Sequence, residues 1–424
     1  MIQRLLQLLK NKENVQLIAN FFSLVSIKGF DMLIPLFILP YLVRTLGIDV
    51  FGLTAFSLAF CMYFGAFIHY GYSITAVREI ARARKDKELL SKQYSTYISL
   101  SVVLLFISLI LFTVAVAVIP TLREYWILHL YTFYFVAMQS LFPAWLFQGM
   151  ERMKYIAFIN LSTKVLYLVA LLFMVTGPGD YLLVPLLNAF AMTVSTIVSF
   201  WIIHKQLKIR YRKTELGEII IAMKEGKHAF ISLFAPTLYN STTTFILGYT
   251  SSNYIIGIYA SATKLIDALN SIALLLSNTF LPYLSRNIKK HFVFSRMMIV
   301  IGLLLTAGSL LFSEYIISFL YGADKLEIAY YFKLLTPMVF FIFVRFTFGP
   351  NYLMLIGKDS LYKNIVLYSC LFFFFMALIL VPIYELYGAI AIMLGTTLLM
   401  AILTYWFYWK FRLGNKKAQH LGDE

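Results

Sequence analysis

The chain has 424 residues, of which 61% are hydrophobic and 13% charged, with a formal net charge of +16. A soluble domain carries about twice that share of charge, and apolar runs of about 20 residues recur from end to end, so the sequence excludes a soluble enzyme. It also lacks the short alternating segments of a β-barrel and reads as an all-α polytopic membrane protein.

In chain order, twelve spans are expected near residues 15–43, 50–76, 95–119, 125–149, 155–176, 181–204, 228–249, 254–283, 293–319, 328–356, 361–382 and 386–410. The polar start, with Lys10, Lys12 and Glu13, gives no sign of a cleavable leader. Of the 36 Lys and Arg, 28 fall at the N-terminus, in every second loop or at the span ends beside one, or in the C-terminal tail. The alternate loops hold only Arg44, Arg123 and Lys325. This bias predicts cytoplasmic termini and accounts for the basic balance without a nucleic-acid partner.

The first span carries Lys28 and Asp31 together with Pro35. A charge at the centre of a membrane helix costs about 2.5–3.5 kcal/mol on insertion scales, so both are expected to face something other than lipid. The longest loop, 205–227, is basic and divides the chain into a six-span N-terminal lobe, 1–204, and a six-span C-terminal lobe, 228–424. An interfacial amphipathic helix is one expectation for that linker.

Five matches support an internal repeat: Gly52 with Gly257, Arg78 with Arg286, Pro143 with Pro350, Gly149 with Gly357, and Pro178 with Pro382. Their offsets run from 204 to 208 residues. An even number of spans in each half gives the two halves one orientation.

No phosphate-binding glycine loop, HExxH, nucleophile elbow or cofactor motif is present, and Cys61 and Cys370 give neither a disulfide framework nor metal spacing. The external loops are too short for the active site of a membrane polymerase or glycosyltransferase. The chain therefore reads as a non-enzyme without cofactor or metal.

The chemistry-bearing residues are the charges inside spans. Lys28 with Asp31, and Lys264 with Asp267, stand three residues apart on one helix face, where each pair either neutralises itself or serves a ligand. Lys164 and Lys333 lie near helix ends from which they can snorkel. Arg345 lies deep in span ten without an acid three or four residues away. Five cations against two anions form a surplus that suits a pyrophosphate head group. Lys28, Lys264, Arg345 and Lys164 are the candidate substrate-binding cations. Asp31, Asp267 and His69, with His129, are candidates for proton or cation coupling. Pro35, Pro143, Pro236, Pro337 and Pro350 lie within spans and are candidate hinges or static kinks. Tyr63, Tyr70, Tyr72, Trp145 and Tyr239 are candidates to line a sugar path.

Four segments carry a family resemblance over essentially the whole chain: Leu39–Gly52 (LPYLVRTLGIDVFG), His69–Ala81 (HYGYSITAVREIA), Trp145–Asn160 (WLFQGMERMKYIAFIN) and Ile246–Leu265 (ILGYTSSNYIIGIYASATKL). Together they resemble the Wzx-type O-antigen and polysaccharide flippases of the multidrug/oligosaccharidyl-lipid/polysaccharide (MOP) superfamily. The resemblance implies two six-helix bundles in a V around a cavity. It implies translocation of an undecaprenyl-pyrophosphate-linked oligosaccharide across a bacterial inner membrane. It also implies H+ or Na+ coupling and contact with polysaccharide polymerase or chain-length machinery. His69 departs from the acidic residue that the family carries before its Tyr-Gly. The rivals are a drug/cation antiporter of the same superfamily, against which the cationic surplus argues, and a non-transport membrane component of polysaccharide synthesis.

Overall fold

The computed structural model describes residues 34–420, with side chains as far as Arg412. Lys28 and Asp31 lie outside the described residues. Among these all regular structure is helical, with no strand. Nine helices are long and apolar enough to cross a membrane. The seventh expected span falls within Leu216–Thr250, whose run from Asn240 to Thr244 lowers its hydropathy and leaves it outside that nine. The eleventh and twelfth share Asp359–His420, which breaks at Glu385 (φ 46°), three residues after Pro382 removes a backbone donor.

The contacts divide the described chain into two compact units. The first is built from residues 41–257 with 377–386; the second from 258–376 with 387–420, together with 34–40. This grouping differs from the expected lobes, 1–204 and 228–424. The difference lies in Leu216–Thr250, which packs with the first unit: Phe245 stacks on Phe56 and Phe60, with ring centroids 5.6 and 5.8 Å apart. The expected lobes follow the repeat, whereas the units follow packing.

α1 (Ile34–Leu46), which belongs to the first unit from Tyr41 on, ends at Gly47, whose φ of 79° turns the chain into α2 (Ile48–His69). The short α3 (Thr75–Ala83) and the long α4 (Lys87–Val118) follow, the latter capped by Asp86, whose carboxylate accepts from the Glu88 and Leu89 amides. One face of α4 is buried through Leu100, Leu104 and Phe112, while Phe106, Ile110, Val114 and Val118 stand exposed. An outer face that apolar is expected to meet lipid. The fourth span is two pieces, α5 (Trp126–Leu141) and α6 (Ala144–Gly149), broken at Pro143. Then come α7 (Met153–Met174), α8 (Leu183–Trp201) and α9 (Leu216–Thr250), the last continuous through Pro236.

Beyond Gln206 the linker, 205–227, is helical only in its second half, from Leu216 on. Residues 207–215 run without helix along the start of α4, and the helix resumes at Leu216. Ser91, Ser95 and Ser99 recur every four residues on one face of α4 and satisfy the strap. The Arg212 amide donates to Ser95 Oγ (2.8 Å), the Arg210 amide to Ser91 Oγ (3.4 Å), and Ser99 bonds the Tyr211 hydroxyl (2.9 Å). Coiling the strap into a helix would redirect those amides.

The second unit holds most of α10 (Asn253–Arg286), then α11 (His291–Leu311), α12 (Ser313–Tyr321), α13 (Glu327–Leu335), α14 (Pro337–Phe348) and most of α15 (Asp359–His420). Gly302 lets α11 lie directly on Phe343 of α14. After α14 the backbone widens into a π-turn, Gly349–Met354, around Pro350. The repeat-related prolines Pro143 and Pro350 thus both interrupt a span.

Candidate functional site

Three of the candidate cations, Lys264, Lys333 and Arg345, belong to the second unit, and the structure treats them differently. Lys333 reaches Glu314 at 2.6 Å, with both side chains substantially exposed. Its partner is 19 residues away in sequence, beyond the helical spacing at which the sequence could be searched for one. Lys264 and Asp267 form their own pair at 3.8 Å, with side chains 52% and 58% exposed. They share an exposed face of α10 with Leu274 and Asn278, a charge-bearing face on a span-length helix. Such a face is costly against lipid and is expected to line water or a ligand.

Arg345 stands apart. It is half-buried near the C-terminal end of α14, and among the described residues no carboxylate lies within ion-pair distance. Its guanidinium contacts Met400 Sδ at 3.5 Å and lies 4.9 Å from the Phe346 ring centroid, while its Nε has no hydrogen-bond partner. An arginine held on a thioether and an aromatic face keeps most of its five donors for something else.

The π-turn just after it adds a second unmet polar group. Asn351 is fully buried and donates through Nδ2 to Ser277 Oγ (2.5 Å) and to the Phe346 carbonyl (3.1 Å), leaving Oδ1 without a partner. On α10, one helical face carries Ser277 and Asn270, whose Oδ1 is likewise unpartnered. Amide oxygens of this kind accept from hydroxyl groups. The sequence reading missed both asparagines, and the Gly-Pro-Asn run at 349–351 was the available signal, since it forces the turn that buries Asn351.

Lys164 lies half-buried on α7, in the first unit, whereas Lys264 and Arg345 belong to the second. His69 closes α2, its ring 5.7 Å from Tyr72. His129 is fully buried in the first unit, its Nδ1 2.9 Å from Ser57 Oγ. Ser57 donates to Thr132, which donates to the Leu128 carbonyl. A carbonyl only accepts, so the chain of donors runs outward and His129 supplies the proton on Nδ1. Tyr70, Tyr72 and Trp145 are buried in the aromatic core of the first unit and not free to line a path as expected: Tyr72 and Trp145 pack on each other and on Tyr97, and Tyr70 stacks on Phe230. Tyr63 spends its hydroxyl on Thr242 (2.5 Å).

A polar cleft of about 510 Å³ lies between the strap and α4. Its cations are matched by its own acids, Lys92 with Glu218 at 2.8 Å and Arg212 with Glu88 at 3.1 Å, so it lacks the unmet charge seen at Arg345.

The fold is that of the MOP-superfamily transporters. A lipid II flippase, MurJ, in an inward closed conformation superposes with a TM-score of 0.73 at 13% identity, covering 92% of this chain and 87% of that one. An inward-facing multidrug resistance MATE family transporter of the MOP superfamily gives 0.67 at 15% identity, over 92% and 96%.

Residues 17–288 match the family described as "Polysaccharide biosynthesis protein", and the chain belongs to that family. One relative from Escherichia coli (strain K12) is 26% identical over 343 residues, 81% of this chain and 78% of its own. Another from Shigella dysenteriae is 27% identical over 269 residues, 63% and 67%. Both bear the name "Putative O-antigen transporter". The resemblance to the Wzx-type flippases is thereby borne out. The relatives are transporters rather than enzymes, and the chain is a multi-pass membrane protein.

Proposed function

We propose that this protein is a flippase that carries an undecaprenyl-pyrophosphate-linked oligosaccharide, an O-antigen or related repeat unit, across the bacterial inner membrane by alternating access. The observation that carries the reading is Arg345, half-buried in a span and without a carboxylate among the described residues. A pyrophosphate brings the charge and the acceptor oxygens that such a guanidinium lacks. Lys264 stands on the exposed stripe of α10 as a further contact, with Lys28 and Lys164 completing the cationic set. The unpartnered oxygens of Asn270 and Asn351 suit the sugar hydroxyls that follow the phosphates.

The six-plus-six lobes, cytoplasmic termini and hinges at Pro35, Pro143, Pro236 and Pro350 belong to the same proposal. So do coupling through Asp31, Asp267 or His69 and contact with the polymerase machinery. Support comes from the family match, the names of the relatives and the fold shared with a lipid II flippase. The test is complementation of a strain lacking the gene. Arg345→Ala and Lys264→Ala should leave membrane abundance unchanged and remove surface glycan, with drug susceptibility unaltered. Full glycan from both variants would refute the cationic site, and a change in drug efflux alone would favour the antiporter.

A further inference from the structure

The second unit carries another cationic group, at the end where α11 begins and the span-length part of α15 closes. Arg296 lies one helical turn beyond Phe292, and its guanidinium sits over the Phe292 ring at 4.1 Å from the centroid. Arg412, from α15, approaches the same ring at 5.6 Å. Arg412 is also held 5.7 Å from the Tyr408 and Trp409 centroids and donates to the Tyr408 hydroxyl at 2.9 Å. Tyr408 is buried and Phe292 is 43% exposed, so the pair rests on a fixed aromatic base with its outer side open.

Neither arginine has an ion-pair partner among the described residues, and the sequence supplies none nearby. No Asp or Glu occurs between Asp267 and Glu314, nor between Glu385 and Asp423. Two guanidiniums converging on one ring repel each other unless an anion joins them. The exposed Trp406 and Trp409 beside them mark the level of the membrane interface, where lipid phosphates lie. Lys410 over Trp406 at 5.4 Å and Lys358 over Phe411 at 5.2 Å extend the same cation-on-aromatic pattern around the rim.

We infer that Arg296 and Arg412, seated on Phe292, form a binding site for the phosphate of an anionic glycerophospholipid in the leaflet facing this end. Positive-inside patterning makes that leaflet the cytoplasmic one. The two guanidiniums take the phosphodiester oxygens, Tyr408 fixes Arg412, and the acyl chains lie along the apolar flank of α11. The site shares no residue with Arg345 and Lys264 and does not depend on the transported molecule.

The test is native mass spectrometry of the purified full chain in neutral detergent, titrated with phosphatidylglycerol or with phosphatidylcholine. The wild type should retain phosphatidylglycerol preferentially, and added salt should shrink the preference. Arg296→Gln with Arg412→Gln should lower it about fivefold for each arginine removed. Arg296→Lys with Arg412→Lys, which keeps the charge, should retain most of it and guards against a folding defect in the Gln variant. Equal retention of both lipids by the wild type would overturn the site, as would an unchanged preference in a folded Gln variant. Displacement by undecaprenyl pyrophosphate at far lower concentration than by phosphatidylglycerol would also overturn it, because the site would then belong to the transported lipid.

Discussion

Each intramembrane charge of the second unit has its own role, set by what lies beside it. Arg345 has a thioether and a ring and no acid. Arg345→Lys should keep partial activity in the complementation assay, because a lysine retains the charge but not the fork that matches phosphate oxygens. Lys333 behaves oppositely. Its pair with Glu314 is exposed, and exposed pairs contribute little. Lys333→Ala should leave both glycan level and melting temperature unchanged, and a clear fall in either would give Lys333 a role that its geometry does not. The sequence made Arg345 conspicuous because no acid stands three or four residues away. It hid Glu314, which reaches Lys333 only through the packing of α12 near α13. It hid Asn351 as well, since an asparagine in a span reads as a polar residue of unknown partner until the π-turn around Pro350 buries it.

At the scale of elements, one helix crossing and the strap on α4 carry the clearest consequences. Gly52 of α2 and Gly257 of α10, paired in sequence by the repeat, meet in the structure. A Cβ at Gly52 would run into the backbone of Asn253 and Gly257, and one at Gly257 into the backbone of Ile48. Backbone cannot swing aside as a side chain can, so Gly52→Val or Gly257→Val should lower the melting temperature and the glycan level together. Gly217→Val is the control, because a Cβ there meets nothing. Normal behaviour of both crossing variants would mean that the helices part at no cost. The repeat signal was therefore legible as a pair of glycines, but only the fold shows that they touch. The strap on α4 adds a pH dependence. The hydrogen bond from Lys92 is the largest cause holding the Glu218 carboxyl below its ordinary value of 4.5. A carboxylate with a lowered pKa contributes stability that is complete above the ordinary value and is lost as pH falls through the lowered one. The distance between spin labels at positions 89 and 213 should stay constant from neutral pH down to that ordinary value and lengthen only in stronger acid. Lengthening at weakly acidic pH would show that the Lys92–Glu218 pair does not hold the strap.

For the whole molecule, composition already specified an all-helical membrane protein, and the order of the spans was legible from apolar runs and loop charge. The packing of Leu216–Thr250 with the first unit was not, because its contacts, Phe245 on Phe56 and Phe60, join residues far apart in sequence. The break at Glu385 within Asp359–His420, by contrast, falls between the eleventh and twelfth expected spans, where Pro382 and a polar dip already marked it. Orientation is open to a direct check: a reporter fused after residue 424 should be active only in its cytoplasmic form, and periplasmic activity would invert the topology. The central claim, movement of a pyrophosphate-linked oligosaccharide through a path that depends on Arg345, is tested most directly in proteoliposomes. Vesicles loaded with undecaprenyl-pyrophosphate oligosaccharide are exposed to an external glycosidase, and the protected fraction is followed with time. The wild type should expose the protected glycan faster than protein-free vesicles, and Arg345→Ala should fall to the protein-free rate. A wild type no faster than empty vesicles, or an Arg345→Ala variant as fast as the wild type, would contradict the account.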